Sequence, residues 1–506
     1  MNNQPTHLVI VGGGTAGWMT ANLLAHQWGK LGMRISLIES HKIGTVGVGE
    51  GSTPYLKEFF ERLAIPESEW MPACNATYKC GISFPGWSEK PGYDSYFHPF
   101  YSDLDGPQAQ AFFRQCNEKR HGGSNHAHPN DYFLASALTR QSRAPISNEI
   151  PASDLVYAYH FDAELLGQFL RQHALKLGVQ LIEDKVTDIQ CNQRGQIAIL
   201  NTESSGPVRG DFFVDCSGFK GLLVQQTLGE KQQSYRPYLF NDSAVAIQTP
   251  LDERDPIQPH TVSKALTHGW VWHIPLSNRY GNGYVYSSKY CSAEQAEQEL
   301  RELLGPGATD AKALHLKWEP GRISQHWKKN CVAIGLSQGF LEPLEAPMLF
   351  VVQRTIEHFI GCYEQGGFSD VKRNEFNQEI NKIIDGTRDY LQAHYLMNSR
   401  SDSDYWRDCR DNPQQSEALS DIIAAWRATG NFDLALHKHQ DKLAYLKTSW
   451  YCLLAGKGGF ENTFELDSHP PERQWCDNKA RSFIFHREHL SRFHADMPWP
   501  SPLKDY

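Results

Sequence analysis

Residues 7–29 read HLVIVGGGTAGWMTANLLAHQWG: an apolar run, three glycines, then a segment of helical periodicity. His7–Val11 is short and apolar and predicts a buried strand. Thr15–Gly29 carries Ala16, Met19, Leu23 and Leu24 at helical spacing, and Ile35–Ile38 predicts a second strand ending at Glu39. Residues 6–39 therefore read as one β-α-β unit. The glycines fall as Gly12-x-Gly14-x-x-Gly17 between strand and helix. In that pattern Gly12 permits the tight turn, Gly14 lets a pyrophosphate approach the backbone and Gly17 lets the helix pack on the strand. The helix opened by Thr15 and Ala16 presents free N–H groups to phosphate charge. Glu39 follows Gly17 by 22 residues and is placed to accept hydrogen bonds from ribose hydroxyls. The unit predicts a dinucleotide site, and its place at the start of a large chain favours FAD over NAD alone.

Outward from this unit, residues 58–64 read as helix. The stretch 86–150, rich in Gly, Pro, Asn, Ser and aromatics, reads as long ordered loops. Residues 162–176 read as a helix with Leu166, Phe169, Leu170 and Ala174 on one face, ended by Gly178, with Val179–Ile182 the next strand. Further strands are expected near 186–190, 196–201 and 211–215, and an antiparallel sheet over 236–290. Asp215-Cys-Ser-Gly218 is either an ordinary strand-ending turn or a second cofactor-side segment. After about 350 the patterns are mainly helical, with 398–415 a loop between helices. The expected class is α/β. A Rossmann-type FAD-binding core with a large antiparallel sheet occupies 1–370, and a mainly helical substrate-side region over 371–506 packs on it.

The 506 residues carry 49 Lys and Arg against 58 Asp and Glu, a net charge of −9. This mild acidity does not suit a protein that wraps nucleic acid. No stretch reaches the roughly 18 apolar residues of a membrane span; the most apolar region, 332–352, is broken by Gln338, Glu342 and Glu345. The first residues lack the basic–apolar–small order of a signal peptide. Eleven cysteines without a C-x-x-C pair predict reduced thiols and a cytoplasmic location. His121, His126 and His128 have no carboxylate or Cys in helical ligand spacing, so a solvated polar loop is expected there and no metal site.

Three further segments resemble the flavin-dependent tryptophan halogenases. Gly269-Trp-Val-Trp-His-Ile-Pro275 matches that family's G-W-x-W-x-I-P signature. Thr77-Tyr-Lys79-Cys-Gly-Ile-Ser-Phe84 resembles the segment of its catalytic lysine, and Gly335-Leu-Ser-Gln-Gly-Phe-Leu-Glu342-Pro-Leu-Glu345 that of its catalytic glutamate. Weaker matches are Gly47-Val-Gly-Glu50-Gly-Ser-Thr-Pro54, Tyr159-His-Phe-Asp162 and Arg388-Asp-Tyr. The resemblance implies FAD, reduced by a separate NAD(P)H-dependent reductase, which with oxygen and halide yields hypohalous acid. It implies Lys79 as the residue that holds or activates the halogen. Glu345 is implied to stabilise the cationic arenium and accept its proton. Val186, Asp215, Gly335 and Leu336 are implied on the cofactor side. Trp270, Trp272, Ile274, Pro275 and Trp450 are implied along the tunnel and substrate chamber, with the halide near Pro347 and Met348. On spacing alone, Trp270 and Trp272 read as one face of a core strand.

The chain departs from the family after the glutamate. Ala346-Pro347-Met348 stands where Ser-Thr-Gly is usual. Pro347 has no N–H, so one halide donor is missing, which favours bromide over chloride. The C-terminal cluster that grips free tryptophan is not found, and Ser449-Trp-Tyr-Cys-Leu-Leu-Ala-Gly456-Lys-Gly458 resembles relatives with other substrates. The expectation is a halogenase of indole or another electron-rich small aromatic. An arene-hydroxylating flavin monooxygenase and a flavin-binding protein without halide chemistry stay open as alternatives, as does a homodimer.

Overall fold

The computed structural model describes residues 6–40, 49–252, 256–428, 430–461 and 469–493. His7–Val11, buried throughout, is an interior strand of a six-stranded sheet. It pairs in parallel with Arg34–Glu39 on one side and Phe212–Asp215 on the other. Gln180–Glu183 and Cys331–Ala333 extend the sheet in parallel, and Trp327–Lys328 closes one edge antiparallel. Unbroken apolar runs such as Leu8–Val11 are what a parallel strand covered on both faces requires. Helices Thr15–Trp28 and Ala163–Lys176 pack on one another, the second capped by the Asp162 carboxylate at the N–H groups of Glu164 and Leu165. Gly12, Glu39, Asp215 and Gly335 thus collect at the carboxyl ends of the parallel strands, where open α/β sheets bind ligands.

The antiparallel expectation over 236–290 is met by Ser243–Pro250, Thr261–Leu266, Gly269–Pro275 and Arg279–Tyr286, four strands of a seven-stranded sheet. Gly81–Pro85 joins it in parallel beside Thr261–Leu266, and Ser95–Pro99 follows it. A small sheet sets Ala158–Asp162 between Gly49–Gly51 and Thr77–Lys79. One apolar core runs through most of these elements. A second joins Phe112, Tyr132 and Phe133 to Tyr390, Leu419, Trp426, Trp450 and Tyr451.

Two stretches differ from the sequence expectation. Residues 86–150 are not simply loops: they hold strands Ser95–Pro99 and Arg143–Ser147 and helices Gly106–Arg120 and Leu134–Arg140. Pro107 sits in the first turn of the longer helix, and Ala109, Phe112, Phe113 and Cys116 give its buried stripe. The surrounding glycines and prolines concealed that periodicity. Residues 398–415 likewise contain a helix, Asp404–Arg410, capped by Ser403 and too short to show a repeating pattern. All eleven cysteines are free thiols. Among the described residues no helix is long and apolar enough to cross a membrane.

Candidate active site

The glycine turn has the geometry that its sequence predicts. Gly12 takes φ +116°, and a Cβ there would lie 2.1 Å from the carbonyl oxygen of Cys216. A Cβ on Gly17 would lie 1.9 Å from the Gly12 oxygen, so helix and strand could not approach. A Cβ on Gly14 would meet nothing within 4 Å, and no side chain caps the helix that Gly14 opens. Open space before uncapped N–H groups fits a pyrophosphate. Gly335, at φ +82°, presses on the same turn, and a Cβ on it would lie 2.7 Å from that of Ala16. Leu336 beside it and Val186 are half-buried. The Glu39 carboxylate stands at the second strand's end, held by Arg171 Nε at 2.9 Å and Trp18 Nε1 at 3.2 Å. These residues fit the dinucleotide part of FAD.

Asp215 ends its strand at the carboxyl edge of the parallel sheet. It is fully buried, and its carboxylate accepts the N–H and hydroxyl of Ser217 and the N–H groups of Leu223 and Val224. It fixes the segment after its strand.

Lys79 is 1% exposed. Its Nζ donates to the Ser52 carbonyl at 3.0 Å and lies 5.5 Å from the centroid of the Phe100 ring. Burial lowers its amine to about 8, against the pull of the Glu345 charge. Gly51 leaves room for it, since a Cβ there would lie 3.2 Å from Nζ. Ser52 is positioned by Tyr159, whose N–H donates to its hydroxyl and whose carbonyl accepts its N–H. Thr77 donates to the Pro275 carbonyl at 2.7 Å and lies 3.1 Å from His160 Nδ1. Four quoted segments therefore converge on the lysine: 49–54, 77–84, 159–162 and 269–275. Gly47 and Val48, quoted with the first, lie outside the described residues.

Glu345 is 3% exposed. His394 Nε2 lies 2.9 Å from one oxygen, and His98 Nδ1 lies 3.1 and 3.2 Å from the two. Burial alone would push the carboxyl up; the two histidines outweigh it and hold Glu345 well below the usual carboxylate range. His394 is lowered to about 4 by burial, with Glu345 opposing. At neutral pH it is one neutral tautomer: Nε2–H donates to Glu345 and Nδ1 faces the Tyr96 hydroxyl at 3.4 Å. The neighbouring Glu342 behaves differently. Burial raises it to about 7, and it accepts from Asn241 Nδ2 at 2.7 Å and the Tyr395 hydroxyl at 2.5 Å. Tyr390 connects the glutamate region to Trp450, with ring centroids 5.0 Å apart, and stacks on Tyr445 at 3.8 Å.

Sequence reasoning missed His98, His394, Tyr390 and Tyr445. Isolated aromatics far from the matched segments gave no signal, although Tyr390 closes the weak Arg388-Asp-Tyr match. Trp270 and Trp272 are both buried in the main core, their ring centroids 6.3 Å apart. Trp272 occupies the space over Gly283, where a Cβ would lie 2.1 Å from its ring. Ile274 and Pro275 are buried as well, Ile274 against Gly49. Trp450 is buried in the second core. Pro347 and Met348 open the helix Pro347–Gln365, which no side chain caps, behind Ala346 at φ +52°. A proline at a first helical position removes an N–H that the helix itself does not use. Outside this site, His126, Asp131 and His469 converge, but Arg473 bonds both Asp131 and His469 and supplies the positive charge there.

A glycine turn of dinucleotide geometry in a fold that also buries a lysine and an ionised glutamate fits a flavoenzyme. The profile of the family described as tryptophan halogenase matches residues 7–466, and the chain belongs to that family, whose members are flavin-dependent halogenases. It is 40% identical over 454 residues to a tryptophan 6-halogenase of Streptomyces toxytricini, covering 84% of this chain and 85% of that one. It is 38% identical over 475 residues to a 7-chloro-L-tryptophan 6-halogenase of a Kutzneria species, covering 89% and 90%. A flavin-dependent halogenase from Xanthomonas campestris superimposes with a TM-score of 0.85 at 33% identity, over 99% of this chain and 100% of that one.

Proposed function

We propose that this chain halogenates indole or another electron-rich aromatic through hypohalous acid, with bromide favoured over chloride and a separate NAD(P)H-dependent reductase supplying reduced flavin. The observation that carries this reading is the pairing of a buried amine, Lys79, with a buried carboxylate, Glu345, that His98 and His394 hold ionised. Reduced FAD, when bound, would supply two electrons to oxygen, so that one oxygen atom oxidises halide to hypohalous acid and the other leaves as water. Gly12, Gly14, Gly17 and Glu39 bind and orient the flavin. Lys79, anchored on Ser52, presents its amine to the halogen. Glu345 faces the arene, stabilises the cation left by halogen addition and takes its proton.

The aromatic side chains around Glu345 and its histidines suit an uncharged ring, and zwitterionic tryptophan needs partners for both its charges when buried. Indole is therefore the better substrate, attacked at its electron-rich C3. A second reading, halogenation of free tryptophan on its benzo ring, is favoured by the 40% identity to a tryptophan 6-halogenase. Mass spectrometry of indole, substituted indoles and tryptophan, incubated with a flavin reductase, NADH, FAD and either bromide or chloride, decides between them. A higher kcat/KM for tryptophan than for indole overturns the first reading. Halide-independent hydroxylation overturns both.

A further inference from the structure

Lys457 is 1% exposed, and among the described residues its Nζ has no hydrogen-bond partner. Three rings surround the amine instead. Nζ lies 3.8 Å from a Trp87 ring centroid and 5.9 Å from those of Phe84 and Tyr96. Phe84 and Tyr96 are themselves stacked at 4.9 Å. The backbone is fitted to this place: a Cβ on Gly456 would lie 2.4 Å from the Tyr96 ring, and Gly458 takes φ +65°. An ammonium out of water needs acceptors or ring faces, and this cage provides ring faces.

The same rings enclose His394. Phe84 and Trp87 have centroids 4.8 and 5.9 Å from the imidazole, and the Tyr96 hydroxyl faces its Nδ1. His394 in turn holds Glu345. The titratable groups around this pair are His98, Tyr96, Tyr390, Tyr445, Cys452, Lys79 and Lys457, and burial keeps the Cys452 thiol protonated. Burial keeps the three tyrosines protonated and uncharged. In the proposed reaction Lys79 meets the halogen, which leaves Lys457, behind the Phe84, Trp87 and Tyr96 rings, as the other buried amine that feels the Glu345 charge.

We propose that Lys457 is a positioning residue, a caged cation that lets the His394–Glu345 pair keep one proton only, on His394, and so leaves Glu345 open to the arene proton. The inference rests on Glu345 being that acceptor. The charge on Lys457 rests on the cage: burial pushes its amine well below lysine's ordinary range, and the Glu345 charge together with the ring faces at 3.8 and 5.9 Å opposes the push. The Lys457 charge also acts with burial to hold His394 down. Without it the pair takes up a second proton at higher pH, whichever member receives it.

The test compares Lys457→Met, which removes the charge at similar volume, with Lys457→Arg, which keeps it. Halogenation of the best substrate is followed from pH 3.5 to 8, a range that spans the His394 value of about 4, and His394 is titrated by NMR in histidine-labelled protein, assigned with His394→Gln. The Met variant is expected to move the acid limb of turnover and the His394 titration up by about one pH unit, so that activity at the old limb falls about tenfold. The Arg variant leaves both in place. Unmoved limbs in a Met variant that binds FAD normally, or equal movement in Met and Arg, overturn the proposal. If the Met variant does not fold, Trp87→Leu opens the closest ring face and must move the limb the same way. Near-parental turnover by Glu345→Gln removes the Glu345 assignment separately, whatever Lys457→Met shows.

Discussion

The Nζ of Lys79 lies 3.0 Å from the carbonyl oxygen of Ser52, so a fully buried amine is tethered by a neutral acceptor. A carboxylate in that place would lock the ammonium. A carbonyl fixes the amine's position while leaving its proton easily lost, in keeping with a value near 8. The tether is built by the small sheet, in which Gly49–Gly51 leads into Ser52 and Ala158–Asp162 holds it against Thr77–Lys79.

Lys79→Met is therefore expected to reduce arene halogenation by at least about 100-fold while flavin reoxidation continues. Product chromatography with catalase present measures the first and flavin absorbance the second. The same variant is expected to be more stable. The folded value of about 8 lies below the reference 10.5, so the unfolded chain binds the extra proton between those two values. Below pH 8 the buried amine costs up to about 3 kcal/mol, and the cost shrinks as pH rises toward 10.5. Denaturant titrations at pH 7 and pH 9.5 should show the variant's advantage narrowing at the higher pH. A constant difference would mean that packing, not charge, separates the two proteins.

Glu345→Gln keeps the shape of the side chain and removes its basicity. Turnover is expected to fall about 100-fold with KM little changed, since the group acts on the cation formed in the reaction. His98 and His394 both donate to this carboxylate, and an amide offers only one oxygen, so a modest loss of stability accompanies the change. Steady-state kinetics with indole at fixed flavin reduction rate separates kcat from KM. A change confined to KM would make Glu345 a substrate-binding group instead.

The fold was legible wherever one residue's backbone geometry dictates the pattern. Gly12 and Gly17 are forced by approaches of 2.1 and 1.9 Å, and such constraints leave a glycine in the sequence. The candidate site was legible only through its lysine and glutamate. His98 and His394 reach Glu345 from elements 247 and 49 residues away, and a lone histidine in a strand or helix carries no spacing to read. Asp215 differs: its segment was noticed, but its four internal hydrogen bonds exist only once the following segment folds back.

Two glycines of one motif are expected to fail differently. Gly17→Ala places a Cβ against the Gly12 carbonyl and should lower Tm by several degrees. The Cβ of Gly14→Val meets no protein atom within 4 Å, and the variant should leave Tm nearly unchanged while weakening FAD binding more than about tenfold. Thermal scans without flavin and fluorescence titration with FAD measure the two effects. Equal Tm losses, or unaltered FAD affinity in Gly14→Val, would remove the dinucleotide assignment.

The halide prediction starts from the uncapped N-terminus of helix Pro347–Gln365, directly after Glu345 and Ala346. A small anion exchanges its hydration for close donors, and Pro347 offers no N–H. Met348 and Leu349 still present N–H groups to the helix end, where the backbone dipoles favour negative charge. A site with fewer donors penalises the more strongly hydrated chloride more than bromide. With equal bromide and chloride in one reaction, brominated arene is expected to dominate the products by mass spectrometry. The double substitution Pro347→Thr, Met348→Gly restores one backbone donor and frees the turn. It should raise the chlorinated fraction in the same competition, which separates a donor effect from the easier oxidation of bromide common to both proteins. A pool dominated by chlorinated arene in the parent, or an unchanged ratio in a folded double variant, would show that the proline does not set halide choice.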